Sequence, residues 1–147
     1  MAATRRADVI WEGDLMSGKG VVTASTSRAF TGVPVSWAAR TEAPRGQTSP
    51  EELVAAAHAS CFAMALSFGL AGAGKPPKKL EVSATVTFDK VEAGWRVTSS
   101  ALTVRGVVPG MDAAGFQKAA EGAKDGCPIS QALRGNVKLS VEAALAS

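Results

Sequence analysis

The chain has 147 residues, 46% hydrophobic and 20% charged, a composition ordinary for one globular domain. Its net charge is only +3, and its basic pairs, Arg5-Arg6 and Lys78-Lys79, are too short to form a nucleic-acid-binding surface. No apolar segment of a signal peptide follows the first arginines, and no unbroken run of about 18 apolar residues occurs, so we expect a cytoplasmic protein without a membrane span.

The first 40 residues predict β-structure. Residues 7–13 and 20–26 flank the glycine-bearing segment DLMSGKG and predict a β-hairpin. Residues 33–40 (VPVSWAAR) alternate weakly between apolar and polar and predict a third strand. Pro34 places that strand at a sheet edge or near its own start, because proline cannot donate to a β-ladder.

A long helix is predicted over residues 49–70. Ser49 suits the N-cap, Pro50 the first helical position and Glu52 the capping box. Apolar residues recur on one face at spacings of three or four, namely Leu53, Ala57, Cys61, Met64 and Phe68. Because alanine fills most of the other positions, we expect a central helix covered by a sheet on one side and by a partner subunit on another.

The rest of the chain predicts a second sheet and two further helices. Residues 80–108 contain two alternating segments joined by EAG and predict a β-hairpin. Helices are predicted within residues 112–134, the first capped by Asp112, and a last strand over residues 136–144. The order of strands and helices predicts one α+β domain over residues 1–147.

The two cysteines, Cys61 and Cys127, leave several roles open. A cysteine on so apolar a helix is often only a small buried hydrophobe. Cys127 stands before Pro128 at the start of a helix, where the dipole favours a thiolate, so redox chemistry is also open. Zinc is disfavoured, because one histidine and two cysteines outside any CxxC motif give at most three nitrogen or sulfur ligands.

Three polar residues could assist a reactive cysteine. His58 lies three residues before Cys61, a poor direction for a thiol–imidazole hydrogen bond, so a structural role is favoured. Glu51 suits the first turn of its helix and could also hold an arginine. Arg40 is the arginine we single out, although the sequence alone favours a solvated strand end for it.

Four segments resemble the OsmC/Ohr family of thiol-dependent hydroperoxide peroxidases: WEGDLMSGKG, TSPEELVAAAHASCFAMALS, FDKVEAGW and AKDGCPISQAL. The WEGD segment and the form of the helix motif are closer to the OsmC branch, and the resemblance covers essentially the whole chain. It implies an α+β OsmC-like fold, with curved antiparallel sheets around two central helices. It also implies an intertwined homodimer with two active sites at the subunit interface.

The resemblance further implies the site and the reaction. Cys61 matches the peroxidatic cysteine, Cys127 the resolving cysteine, and Arg40 and Glu51 the arginine and glutamate of the family. The implied peroxidase reduces organic hydroperoxides through a Cys61 sulfenic acid and a redox-active Cys61–Cys127 disulfide, without metal or other cofactor. An external dithiol, such as a dihydrolipoyl protein, would restore the thiols. The resemblance also implies a role for the protein in the responses to oxidative and osmotic stress.

Some residues of the implied site have rivals. Arg28 and Arg45 are nearby alternatives to Arg40. An apolar surround would favour an alkyl or fatty-acid hydroperoxide, and its candidates are Phe62, Met64, Phe68 and Trp37.

The spacing of Glu51 and Cys61 predicts a composite site. The two residues are ten positions apart on one helix, or about 15 Å along its axis. We therefore expect Arg40 and Glu51 to reach Cys61 from the partner subunit of an obligate dimer. Two other functions remain open: a non-enzymatic dimeric stress or binding module whose cysteines only pack, and a redox sensor or thiol oxidoreductase that acts on protein disulfides.

Overall fold

The computed structural model describes residues 1–146. The chain divides into two compact units, an N-terminal unit, Met1–Leu53, and a C-terminal unit that starts at Val54. The elements in chain order are β1 (Asp8–Glu12), β2 (Lys19–Thr23), β3 (Val33–Val35), α1 (Trp37–Thr41), α2 (Pro50–Gly72), β4 (Lys79–Val91), β5 (Gly94–Val107), α3 (Ala113–Gly126), α4 (Pro128–Leu133) and β6 (Lys138–Leu145).

The N-terminal unit contains a three-stranded antiparallel sheet in the order β1-β2-β3. The predicted hairpin of β1 and β2 is confirmed, with Trp11 opposite Gly20. The indole ring of Trp11 covers Gly20 so closely that a Cβ there would lie 2.7 Å from the ring. Glycine is therefore the residue that permits this packing. Pro34 lies in the edge strand β3, as its missing N–H predicts.

The predicted strand over residues 33–40 is wrong beyond Val35. Residues Trp37–Thr41 form the short helix α1 instead. Ser36 is its N-cap, because the Ser36 hydroxyl oxygen accepts a hydrogen bond of 3.2 Å from the Ala39 N–H. Serine is a preferred N-cap, and Ala38, Ala39 and Arg40, which follow Trp37, are good helix formers. Together they outweigh the weak strand-like alternation.

Helix α2 confirms the prediction for residues 49–70. The Ser49 hydroxyl oxygen accepts a hydrogen bond of 3.1 Å from the Glu52 N–H, as a capping residue should. The Glu52 carboxylate accepts from the Thr48 hydroxyl at 2.7 Å. By length and composition α2 could also cross a membrane. One such helix is weak evidence for a membrane span, because the core helix of a soluble protein meets the same criterion.

The buried face of α2 in the C-terminal unit differs from the predicted one. Side chains at four-residue spacing are at most 1% exposed: His58, Phe62, Leu66 and Leu70. Two members of the predicted face, Met64 and Phe68, are instead 72% and 84% exposed. The helix therefore has one apolar face in the core and a second one turned outward.

The C-terminal unit contains a sheet in the order β4-β5-β6. The predicted hairpin of β4 and β5 is confirmed and is antiparallel, with an irregularity in register between Thr87 and Phe88. Strand β6 pairs parallel to β5, so this pair departs from the antiparallel sheets implied by the resemblance. The reason is the connection through α3 and α4, because a crossover of this length returns the chain in the direction of β5. The α+β class is confirmed.

The core of the C-terminal unit joins α2 to this sheet and to α3. The apolar face of α2 packs in one cluster with Leu102 and Val104 of β5, Val141 of β6 and Phe116 of α3. A Cβ on Gly106 would lie 2.5 Å from the Phe116 ring, so glycine lets α3 approach the sheet closely. Asp112 caps α3 as predicted, its carboxylate accepting a hydrogen bond of 2.7 Å from the Gly115 N–H.

Candidate active site

A pair of thiols lies at the contact of α2 with the α3–α4 junction. Cys61 Sγ and Cys127 Sγ are 2.8 Å apart, although 66 residues separate them in the sequence. Both cysteines are free, Cys127 is fully buried, and Cys61 is partly exposed. Because the two sulfurs are already in contact, they can form a disulfide with little movement of the backbone.

The sequence GCPIS explains the position of Cys127. Helix α3 ends at Gly126, and Pro128 starts α4, so Cys127 is both the C-cap of one helix and the N-cap of the next. Its N–H donates to the Ala123 carbonyl oxygen at 2.9 Å and closes the last turn of α3. The side chain makes no cap hydrogen bond in the thiol form, and its S–H donates to Cys61.

The start of α4 makes Cys127 the more acidic thiol. Burial raises the pKa of Cys127, but several hydrogen-bond donors outweigh this effect and hold its pKa below the usual range. These donors are the Cys61 thiol, the Ser130 N–H and hydroxyl, and the Ile129 N–H. All of them favour the charged thiolate over the thiol.

Cys61 shows the opposite shift. Burial raises the pKa of Cys61, and its hydrogen bond with Cys127 raises it further, while the Ile129 N–H lowers it by less. Within this chain Cys61 is therefore the weaker acid. A thiol must ionise to attack a peroxide, so a reactive Cys61 needs a cation close to its sulfur.

The N-terminal unit holds a partly buried ion pair. Arg40, in the last turn of α1, binds Glu51, in the first turn of α2, with Nη2 2.7 Å and Nε 3.1 Å from Oε1. Nε also lies 3.1 Å from Oε2. The Glu51 side chain is 8% exposed and that of Arg40 29%. The predicted contact of Arg40 with Glu51 is thus present, and its catalytic role stays a prediction.

An apolar cavity of about 340 Å³ opens beside this ion pair in the N-terminal unit. Trp11, Trp37, Val35 and Leu53 line it, together with Arg40. The guanidinium carbon of Arg40 lies 5.9 Å from the centre of the Trp37 ring, within cation–π range. An arginine held by a carboxylate at an apolar cavity can bind the polar end of an otherwise apolar molecule.

The other predicted site residues are dispersed. Phe62 is fully buried in the core, so a substrate could touch it only if the core opened. Met64 and Phe68 are exposed on the outer face of α2. Arg28 and Arg45, the rivals of Arg40, lie exposed in turns with positive φ values of 60° and 50°. Of the three arginines, the structure brings Arg40 to Glu51.

His58 has a structural environment that the sequence did not reveal in full. Its Nδ1 lies 2.7 Å from Ser100 Oγ and its Nε2 lies 2.7 Å from Ser130 Oγ. All three side chains are fully buried, and burial lowers the pKa of His58, so the ring is neutral at neutral pH. The two serines occupy both ring nitrogens, which supports a structural role over a direct pairing with Cys61. The one sequence signal for Ser130 is its place in the first turn after Cys127.

Metal ligands do not cluster in the part of the chain that the structure describes. Within residues 1–146 no group of three or more His, Cys, Asp or Glu side chains is placed to hold a metal ion.

The fold and the two thiols define a class of protein: an α+β chain in which a central helix and a helix junction bring two distant cysteines together. The OsmC-like protein family matches residues 43–142. Peroxiredoxin OsmC of Escherichia coli (strain K12) is 41% identical over 142 residues, which cover 97% of this chain and 98% of that protein. The chain belongs to the OsmC-like family, and this similarity is consistent with its OsmC branch.

Other relatives support the fold. The organic hydroperoxide resistance protein of Xanthomonas axonopodis pv. citri (strain 306) is 33% identical over 95 residues, 64% of this chain and 65% of that protein. The crystal structure of OhrB of Bacillus subtilis superposes with a TM-score of 0.74 at 26% identity, covering 94% of this chain and 97% of that one. The OsmC-like protein of Mycoplasma pneumoniae gives a TM-score of 0.76 at 12% identity, over 100% of both chains. The predicted OsmC-like fold is confirmed.

Proposed function

We propose that this protein is a cysteine-based peroxidase that reduces organic hydroperoxides to alcohols. The observation that carries the proposal is the 2.8 Å contact between the Cys61 and Cys127 sulfurs. Its support comes from relatives named peroxiredoxin and organic hydroperoxide resistance protein. Two thiols in contact can store and release the two electrons that the reduction of a hydroperoxide needs.

The first step consumes the hydroperoxide. The Cys61 thiolate attacks one peroxide oxygen, the O–O bond breaks, and the departing alkoxide takes up a proton to become the alcohol. Cys61 is thereby oxidised to a sulfenic acid. A cation beside the sulfur stabilises both the thiolate and the charge that develops on the leaving oxygen.

The second step resolves the sulfenic acid. The Cys127 thiolate attacks the Cys61 sulfur, the S–O bond breaks, and the hydroxide that leaves takes a proton from solvent to become water. The product is the Cys61–Cys127 disulfide. An external dithiol, such as a dihydrolipoyl protein in a reducing cytoplasm, returns both thiols by exchange. The lowered pKa of Cys127 suits it to this attack.

Arg40 is the proposed cation, and it acts on the Cys61 of a partner subunit. Glu51, which holds Arg40, stands ten residues before Cys61 on the continuous helix α2, about 15 Å along its axis. An arginine bound to Glu51 therefore does not readily reach Cys61 of its own chain. The exposed apolar side chains of Met64 and Phe68, at 72% and 84%, support a homodimer in which a second copy covers this face.

Thiol titration tests the chemistry. Reduced protein receives one equivalent of cumene hydroperoxide, and free thiols are counted before and after. We expect both thiols to be consumed, Cys61→Ser to abolish peroxide consumption, and Cys127→Ser to retain a single turnover. Survival of both thiols in excess peroxide would leave the cysteines as packing residues of a binding module. Faster reaction with protein disulfides than with hydroperoxides would favour a thiol oxidoreductase.

Subunit mixing tests the composite site. An Arg40→Met chain keeps its Cys61 and a Cys61→Ser chain keeps its Arg40, and each alone should be nearly inactive. In a mixed dimer the Arg40 of one chain would face the Cys61 of the other, so activity should return to about one site per dimer. A mixture that forms heterodimers but stays inactive would place Arg40 and Cys61 of one site in the same chain.

A further inference from the structure

A chain of hydrogen bonds leads from β5 through His58 to the start of α4. Ser100 on β5 bonds His58 Nδ1 at 2.7 Å, and Ser130 on α4 bonds His58 Nε2 at 2.7 Å. The three side chains have no exposed surface. In such a dry setting each polar group depends on its protein partners, so the direction of each hydrogen bond is set by the next.

Ser130 places the end of this chain of hydrogen bonds in the helix that Cys127 caps. It is the third residue of α4, and Cys127 is the N-cap of the same helix. Both its N–H and its hydroxyl favour the charged form of Cys127. The titratable groups that meet here are His58, Cys61 about one turn further along α2, and Cys127, while β5 contributes the Ser100 hydroxyl.

The tautomer of His58 decides where the Ser130 proton points. The ring is neutral, so one nitrogen donates and the other accepts. If Nε2–H donates to Ser130 Oγ, the Ser130 proton is free to donate to the Cys127 sulfur, and Nδ1 accepts from Ser100. If Nε2 instead accepts the Ser130 proton, the Ser130 hydroxyl can no longer donate to the Cys127 sulfur. A thiolate on Cys127 favours the first arrangement, because a hydrogen bond to a charged acceptor is the stronger one.

We propose that His58 is a positioning residue that directs the Ser130 hydroxyl toward Cys127 and thereby speeds the attack of Cys127 on the sulfenic acid of Cys61. The inference rests on the proposed function for its kinetic part only. The chain of hydrogen bonds ends at Ser130, at the third position of the helix that Cys127 caps, and a side chain at that position can reach back to the N-cap. We therefore place its effect on disulfide formation, the step in which Cys127 attacks. It reaches Cys61 only indirectly, through the contact of the two sulfurs.

The first test needs no peroxide. In a Cys61→Ser background Cys127 is the only thiol, and its ionisation is followed by ultraviolet absorbance, which no tyrosine obscures because the chain has none. Removing a hydrogen bond to a charged group costs at least about tenfold in the equilibrium, or about one pH unit. We expect Ser130→Ala to raise the pKa of Cys127 by about that amount and Ser130→Thr, which keeps a hydroxyl, to restore it. Ser140→Ala, an exposed serine on β6, is the matched control.

The histidine itself is tested by two amides. Glutamine at position 58 can place a donor near the former Nε2, whereas asparagine, one carbon shorter, reproduces only the Nδ1 position. We expect His58→Asn to raise the pKa of Cys127 as Ser130→Ala does and His58→Gln to lower it back toward the native value. A merely structural histidine would give both variants the same titration, whatever they do to stability. If Ser130→Ala does not fold, this pair decides the question on its own.

Rapid mixing with cumene hydroperoxide separates the two steps in the protein that retains both cysteines. We expect Ser130→Ala and His58→Asn to slow disulfide formation about tenfold near neutral pH. Oxidation of Cys61 should not slow, because a less ionised Cys127 places less negative charge beside Cys61. Equal slowing of both steps, or an unchanged Cys127 pKa in folded Ser130→Ala, overturns the proposal. Absence of any Cys61 oxidation in the native protein would instead refute the peroxidase function, and the peroxide-free titration would still decide the role of His58.

Discussion

Replacing Glu51 by glutamine removes a buried negative charge while it keeps the size of the side chain. Three contacts of 2.7 to 3.1 Å join this carboxylate to Arg40. Breaking a fully buried ion pair costs about 3–5 kcal/mol, and an exposed pair is worth less than about 1 kcal/mol. Because the Arg40 side chain is 29% exposed, solvent recovers part of its charge, and we expect a coupling energy of about 2 kcal/mol between the two.

A double-mutant cycle measures that coupling. Urea unfolding at one fixed protein concentration compares the native chain with Arg40→Met, Glu51→Gln and the double variant, so that contacts of each residue with other groups cancel. The Lys79–Glu81 pair is the control: its N–O distance is also 2.7 Å, but its side chains are 66% and 60% exposed. A coupling of Arg40 and Glu51 no larger than that of the control would show that burial does not strengthen this pair.

Three further outcomes follow from the core. Burial lowers the pKa of His58, so below about pH 6.5 the unfolded chain binds a proton that the folded chain does not bind. As the pH falls through this range, the free energy of unfolding should decrease by up to about 1.4 kcal/mol per pH unit. His58→Gln should flatten this slope in urea titrations. Leu66→Ala, at a side chain 1% exposed, should lower the free energy of unfolding by about 2–5 kcal/mol, and a loss below about 1 kcal/mol would mean that the site collapses. Gly106→Ala meets the Phe116 ring at 2.5 Å and should lower the melting temperature, whereas Gly122→Ala, with open space on α3, should raise it.

Local patterns predicted most of the elements correctly. The hairpins, helix α2 and its Ser49 cap depend on residues close in sequence, and their signals agree with one another. The strand predicted through Arg40 failed because the N-cap pattern of Ser36 lies within a segment that also alternates. Alternation alone also cannot give the direction of β6, since a period of two specifies a strand and not its partner.

Helix α2 shows why its buried face could not be chosen from the sequence. Its residues are apolar or small all round, so several faces satisfy the same periodicity. The buried face carries His58, whose ring nitrogens are satisfied by Ser100 and Ser130, together with the core residues Phe62, Leu66 and Leu70. Those serines are 42 and 72 residues away in the sequence, and no local pattern predicts contacts over such separations. The cysteine pair was predicted only through the family resemblance, and the residues alone had raised a contact of Glu51 with Arg40 without favouring it.

The parallel pairing of β5 with β6 sets an order in which the C-terminal unit can assemble. Strands β4 and β5 are neighbours in sequence and can zip from their turn, whereas β6 reaches β5 only after α3 and α4 have crossed between them. Contacts that close long loops form slowly, because the entropy of closure is lost before the pairing is gained. Cys127 lies inside that crossover. During synthesis on the ribosome, Cys61 is therefore present well before Cys127 is held beside it.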